Sequence, residues 1–279
     1  SSLWRPVSTC TESGRLMIIK EYKKKNFEEL KEFLAAKDLN VDALEWCKWA
    51  GWMDTDGSIQ TIKHEKRTQV RVRLDLKDKQ PVELLSSFFE TNLIYREHKT
   101  ITPEPYRNEY MAKMYCTYIY GEKAICLLKN IYPYLLNVKK KKEAIRILGY
   151  TPESKNLDDW TKDEIISYLA TVIEGDGHVN LRPRRNKKYK SFSMTIAIKS
   201  STIQYLSDIK YLVDKNFDTC LIMRELGTYE TKEGTKTKYN IYLNKSNMDI
   251  FKLLVKNNIM TLDRKKNKIL EYLNQERLN

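Results

Sequence analysis

Two stretches 120 residues apart carry one pattern. Residues 49–57 read W-A-G-W-M-D-T-D-G and residues 169–177 read L-A-T-V-I-E-G-D-G, so each apolar run ends in an acid, one spacer, an aspartate and a glycine. A repeat at that distance limits the available folds, because whatever unit the first copy builds, the second builds again on the same chain. In the first copy Trp46, Trp49, Ala50 and Met53 recur at helical spacing, which predicts a buried helix. Gly57 is expected to be its C′ residue, which leaves Asp54 and Asp56 in the last turn, where the helix dipole is negative. Carboxylates there require a cation close by.

The segments after each motif agree in order. Residues 68–76 and 191–198 alternate apolar and polar side chains, as half-buried strands do. Helices are predicted over 81–90 and 201–214, strand pairs over 93–100 with 110–120 and 219–226 with 236–243, and further helices over 121–131 and 247–257. Lys-rich helices at 138–149 and 264–275 close the copies. The predicted class is therefore α+β, a pseudo-twofold tandem αββαββα repeat with two antiparallel sheets and a two-helix interface made by the motifs. The predicted organisation is an N-terminal extension (1–25), a first repeat (26–150), a linker (151–160) and a second repeat (161–279), the pattern breaking from Gly149 through Pro152 at the boundary. Asp159 or Thr161 caps the second motif helix.

Charge indicates the partner. Fifty Lys and Arg against 37 Asp and Glu give a net charge of +13, which favours a polyanion, nucleic acid before an anionic membrane surface. No apolar stretch reaches the roughly 18 residues that span a bilayer, and no signal-like apolar segment opens the sequence. A soluble, intracellular chain without a membrane partner is expected. The five cysteines form no CxxC pair and are read as reduced, with Cys47, Cys116 and Cys126 as small buried hydrophobes. His64, His98 and His178 lack ligand spacing.

Small residues at Ala50, Gly51, Ala170 and Thr171 suit two helices in close contact. If the motif helices pair, Asp56 and Asp176 meet, and two like charges at two negative helix ends require a hard cation with oxygen ligands, most naturally magnesium. Val70, Val72, Leu74 and Leu76 face one way along the first strand, leaving Arg71, Arg73 and Asp75 on the other. After the second motif, Asn180, Arg182 and Arg184 point outward, followed by Arg185, Lys187, Lys188 and Lys190. Guanidiniums and amides along strands suit phosphates and base edges. Cationic sheets beside a metal-binding acid pair read as a nuclease.

Over roughly residues 40–275 these motifs, their order and their spacing resemble the LAGLIDADG homing endonucleases in their single-chain, two-motif form. The resemblance implies saddle-shaped sheets in the DNA major groove and a monomer that cuts both strands of a long asymmetric site. It also implies short 3′ overhangs and a role in the mobility of an intron or intein. It assigns divalent metal, Mg2+ with Mn2+ or Ca2+ as substitutes, to Asp56 and Asp176, assisted by the carbonyls of Thr55 and Gly175, while Asp54 and Glu174 hold the helix junction. Gln60, Arg71, Arg73, Asp75, Arg96, Asn180, Arg182, Arg184, Lys199 and Arg224 are the implied DNA contacts. An active-site lysine is implied after the second strand pair: Lys139 is preferred and Lys140 is the alternative, whereas the second half offers only Arg264 or Lys265, so unequal half-sites are expected. His178 is a minor candidate for a base. The alternatives are an RNA-binding intron maturase on the same fold, with intron RNA as partner, and a DNA-binding regulator without cleavage. Organelle, phage and bacterial settings are not distinguished by the sequence.

Overall fold

The first motif helix is apolar on every side rather than along one stripe. In α1 (Ala43–Thr55) the residues from Trp46 to Asp54 are buried apart from Lys48. A helix apolar all round requires neighbours all round, and α1 lies against its own sheet, the helix Gly121–Ile131 and the second motif helix. This computed structural model describes residues 43–64, 67–101, 109–183, 192–231, 234–256 and 259–276, which all belong to one compact unit. The predicted extension 1–25 lies outside the described residues, as do Arg184, Arg185, Lys187, Lys188 and Lys190.

From α1 the chain runs through β1 (Gly57–His64), β2 (Arg67–Leu76), α2 (Lys79–Phe88), β3 (Leu93–Ile101), β4 (Glu109–Tyr120), α3 (Gly121–Ile131) and α4 (Val138–Leu148). The order then repeats with α5 (Lys162–Gly175), β5 (Gly177–Pro183), β6 (Phe192–Ser200), α6 (Ile203–Phe217), β7 (Ile222–Thr231), β8 (Gly234–Leu243), α7 (Met248–Val255) and α8 (Asp263–Glu276). The two antiparallel sheets have matching strand orders, β1-β2-β4-β3 and β5-β6-β8-β7. This is the tandem αββαββα arrangement that the repeat predicts.

Each sheet buries one face against its helices. Val72, Leu74 and Ile119 in the first sheet, and Ile196, Ile198 and Ile241 in the second, are wholly buried. Each such side chain contributes about 1.5–3 kcal/mol relative to exposure. The register places Gly57 opposite Leu74 and Gly177 opposite Ile198, so both copies hang from their motif helix in the same way. Of the two capping candidates in the second copy, Thr161 takes the position: its hydroxyl accepts from the Glu164 amide at 3.3 Å, and the Glu164 carboxylate accepts from the Thr161 amide at 2.7 Å.

Two local expectations change. Gly57 does not adopt the left-handed conformation of a C′ residue; a Cβ there would lie 2.6 Å from Met53 Cα, and one at Gly177 would lie 2.6 Å from Ile173 Cα. These glycines are required because the strand turns back against its own helix, not for backbone freedom. The second hairpin is also longer than expected, pairing Thr231 with Gly234 beyond a bulge between Glu225 and Gly227. Most of β7 is exposed to solvent, so its sequence carries no clear alternation.

Candidate active site and nucleic-acid face

The site begins with two helices packed through their small residues. A Cβ on Gly51 would lie 2.7 Å from the Tyr168 carbonyl and clash with the Thr171 hydroxyl, so α1 fits against α5 only because residue 51 has no side chain. Thr171, which stands where the first copy has glycine, is accommodated because Gly51 faces it and because its hydroxyl donates to the Tyr168 carbonyl at 2.9 Å. Gly51→Val is expected to destabilise the fold by about 3 kcal/mol through overpacking, read as a lower urea midpoint; an unchanged midpoint would mean the helices separate without loss.

At the helix ends four acids divide into two pairs. Asp54 and Glu174 are buried and anchor the following segments. Asp54 accepts from the Leu136 amide at 2.7 Å and from the Tyr168 hydroxyl of the other motif helix. Glu174 accepts from the Leu262 amide at 2.6 Å and from the Thr261 amide and hydroxyl. Burial raises their carboxyls, to about 6 for Asp54 and about 7 for Glu174.

Asp56 and Asp176 form the second pair. The Asp56 carboxylate lies against the end of α5, where a Cβ on Gly175 would come within 2.7 Å of its Oδ2. The Asp176 carboxyl is pushed up to about 6, first by desolvation and then by the charge of Asp56, although the residue keeps a solvent-exposed edge. Asp56 is raised by desolvation and pulled back by the charges of Lys265 and Lys140.

Those two lysines occupy matching places, each the third residue of its closing helix. Lys140 Nζ donates to the Gly57 carbonyl at 2.6 Å. Lys265 Nζ donates to the carbonyls of Ile173, Glu174 and Gly177 at 2.8, 2.5 and 2.7 Å, and more distantly to Gly175. Both ammoniums sit where the macrodipole is negative and the last helical carbonyls need donors. Burial lowers both pKa values, that of Lys265 to about 8. Lys139, preferred from the sequence, is exposed, and the lysine that bonds to the helix-end backbone is Lys140. Arg264 is engaged elsewhere, with Nη2 2.8 Å from Asp78 at the start of α2. Each helix end therefore receives a lysine from its closing helix, at the same position of that helix in both halves.

Asp56 and Asp176 suit a hard divalent cation. They stand at two negative helix ends, the charge of Asp56 raises the Asp176 carboxyl, and a cation removes that repulsion. The Thr55 and Gly175 positions adjoin them, and the Gly175 carbonyl receives a long contact, at 3.4 Å, from Lys265.

The open face of each sheet begins one residue after its acid. In the first, Arg71 faces Gln60 and Tyr120, and Arg73 faces Ser58 and Tyr118. Arg71 donates to Gln60, Arg73 pairs with Asp75, and Arg96 comes across from β3. In the second, His178, Asn180 and Arg182 face Ala197, Thr195 and Ser193, Lys199 faces Asn240, and Arg224 lies over the Tyr242 ring. Tyr118 and Tyr242, central to both faces, were not singled out from the sequence, since a tyrosine inside a strand reads equally as core.

Fold and site together define a pseudodimer on one chain, with paired helix-end acids between two open, Arg-bearing sheets. No family model matches the chain, and no curated protein matches it. Solved structures similar to it include a mutant of I-SmaMI, at 12% identity and a TM-score of 0.49 over 84% of this chain and 94% of that one. The LAGLIDADG homing endonuclease I-GzeII in complex with its DNA target is 12% identical, with a TM-score of 0.45 over 84% and 90% of the two chains. The N-terminal LAGLIDADG domain of DUF199/WhiA is 11% identical, with a TM-score of 0.38 over 81% and 86%. At these identities no residue role passes to this chain.

Proposed function

We propose that this chain is a sequence-specific DNA endonuclease that cuts both strands of a long asymmetric site, acting as a monomer with Mg2+. The observation that carries this reading is the pair Asp56 and Asp176, one from each repeat, placed at the ends of the two packed motif helices with the Asp56 carboxylate lying against Gly175 of the other helix. The first strand of each sheet begins at the residue after an acid, so docking of the open faces would set the scissile phosphates over the helix ends. A divalent cation held by Asp56 and Asp176, with the Thr55 and Gly175 carbonyls as further donors, would supply Lewis acidity, lowering the pKa of water and neutralising a departing 3′ oxygen. Asp54 and Glu174 hold the helix ends in register. Lys140 and Lys265, engaged with backbone carbonyls, are positioning residues that keep the helix ends together and Asp56 ionised. Short 3′ overhangs and a homing role accompany this reading.

The test is to incubate the purified chain with a randomised duplex library, with Mg2+ or with EDTA, and to sequence the broken ends. Mg2+-dependent double-strand breaks at one recurring sequence are expected. Duplex binding with no breaks would instead favour a non-cleaving regulator or maturase.

A pH dependence accompanies the acid pair. The folded Asp176 carboxyl titrates near 6 against an ordinary 3.8, so the stability it contributes is present below about pH 4 and is lost as pH rises through 6. A divalent cation binds the ionised pair, so the rise in Tm on adding Mg2+ should be small near pH 5 and grow towards pH 8. Asp176→Asn should remove that pH dependence. A Tm shift that is the same at both pH values would locate the cation elsewhere.

A further inference from the structure

One ring on the first sheet gathers three arginines. The guanidiniums of Arg71, Arg73 and Arg96 lie 5.0, 5.7 and 5.2 Å from the centroid of Tyr118, reaching it from two strands. Tyr118 is only 8% exposed, so the ring is a fixed platform in the floor of the face. Three like charges this close repel, and the aromatic face offsets part of that repulsion while limiting the rotamers of each long side chain. The arginines are also incompletely satisfied. Among the described residues, Arg71 Nε and Arg73 Nε find no acceptor, and neither does Asp75 Oδ1 find a donor. A cavity of about 450 Å³ opens beside them, lined by Arg73, Asp75, Arg96, Glu97, Met114 and Cys116.

The second sheet lacks such a cluster among the described residues. Its corresponding ring, Tyr242, carries Arg224 alone at 5.8 Å, and its hydroxyl accepts from the Asn240 amide at 2.9 Å.

We infer that Tyr118 is a positioning residue for specificity: it preorganises Arg71, Arg73 and Arg96 to read guanines, so the half-site under the first sheet is guanine-rich and the half-site under the second is not. The inference rests on the DNA reading above. Guanine presents O6 and N7 together in the major groove, the acceptor pair that a guanidinium fork matches, and a held fork loses less freedom on binding than a mobile one. The carboxylate of Asp75 adds selectivity, since it accepts from the amino group of the paired cytosine.

The experiment is selection of bound duplexes from a randomised library by the full chain, comparing the wild type with Tyr118→Phe, Tyr118→Leu, Tyr242→Leu and Arg96→Lys. The wild type should enrich guanines in one half-site. Tyr118→Leu should lower the preference for guanine there by about tenfold per position, with affinity for a scrambled duplex within about twofold and an unchanged salt slope. Tyr118→Phe, which keeps the ring, should retain the preference, and Tyr242→Leu should leave this half-site untouched. Arg96→Lys, an exposed change that tests the cluster even if Tyr118→Leu fails to fold, should cost guanine at one position of the same half-site. Salt-dependent binding by the wild type without guanine enrichment overturns this inference alone, as does a Tyr118→Leu profile identical to wild type or a Tyr118→Phe profile as damaged as that of Tyr118→Leu. Absence of duplex binding overturns the DNA reading and this inference with it.

Discussion

Asp56→Asn and Asp176→Asn should each lower double-strand cleavage by about 10³-fold or more, while leaving duplex affinity within a fewfold of the wild type. The asymmetry of those effects follows from placement. Both acids lie at the helix ends, one residue before the first strand of each sheet and off its open face, so the change removes metal-binding charge and no groove contact. Several kcal/mol of stabilisation by a metal corresponds to that loss in rate. Asparagine is nearly isosteric, and removing either charge relieves the repulsion that raises the Asp176 carboxyl. Both variants should therefore melt no lower than wild type without added metal. A variant that still cuts both strands at close to the wild-type rate would show that its acid does not hold the cation, and a parallel loss of binding would show that the acids serve the interface instead.

The second large effect concerns lysines. Lys265→Met should destabilise the chain by about 3 kcal/mol, because it strips the donor from the carbonyls of Ile173, Glu174 and Gly177 in a site only 6% exposed. Lys140→Met, which removes one bond to the Gly57 carbonyl and a loose 4.0 Å ion pair with Glu143, should cost about 1 kcal/mol. Lys139→Met, at an exposed position, should stay within about 0.5 kcal/mol. Chemical denaturation gives these values directly. Cleavage should fall in the Lys265 and Lys140 variants, since both charges hold down the Asp56 carboxyl, and should persist when Lys139 is replaced. If Lys139→Met proved the most damaging of the three, the contacts at the helix ends would be structural only, and the exposed ammonium would be the one that meets the phosphate.

The sequence alone determined the architecture, and it did so through periodicity and repetition. An apolar run ending in acid-x-Asp-Gly, found twice, predicts two equivalent buried helices, and the alternation at 70–76 by itself separates Val72, Leu74 and Leu76 from Arg71, Arg73 and Asp75. These signals are local, since they depend on residues within a few positions of one another. What depended on approach between distant segments could not be read in the same way. Neighbouring residues on a helix point about 100° apart, so the run Lys139 to Lys142 presents a lysine in most directions, and only the docking of α4 beside β1 selects Lys140. Gly57 shows the same limit, because a glycine after a helix signals a C′ residue or a close approach with equal force, and the distance to Met53 decides. The three arginines around Tyr118 come from β2 and β3, joined through β4 only by strand order and register. Pairing of that kind is a property of the tertiary fold, because the residues that meet across strands lie tens of positions apart in the chain.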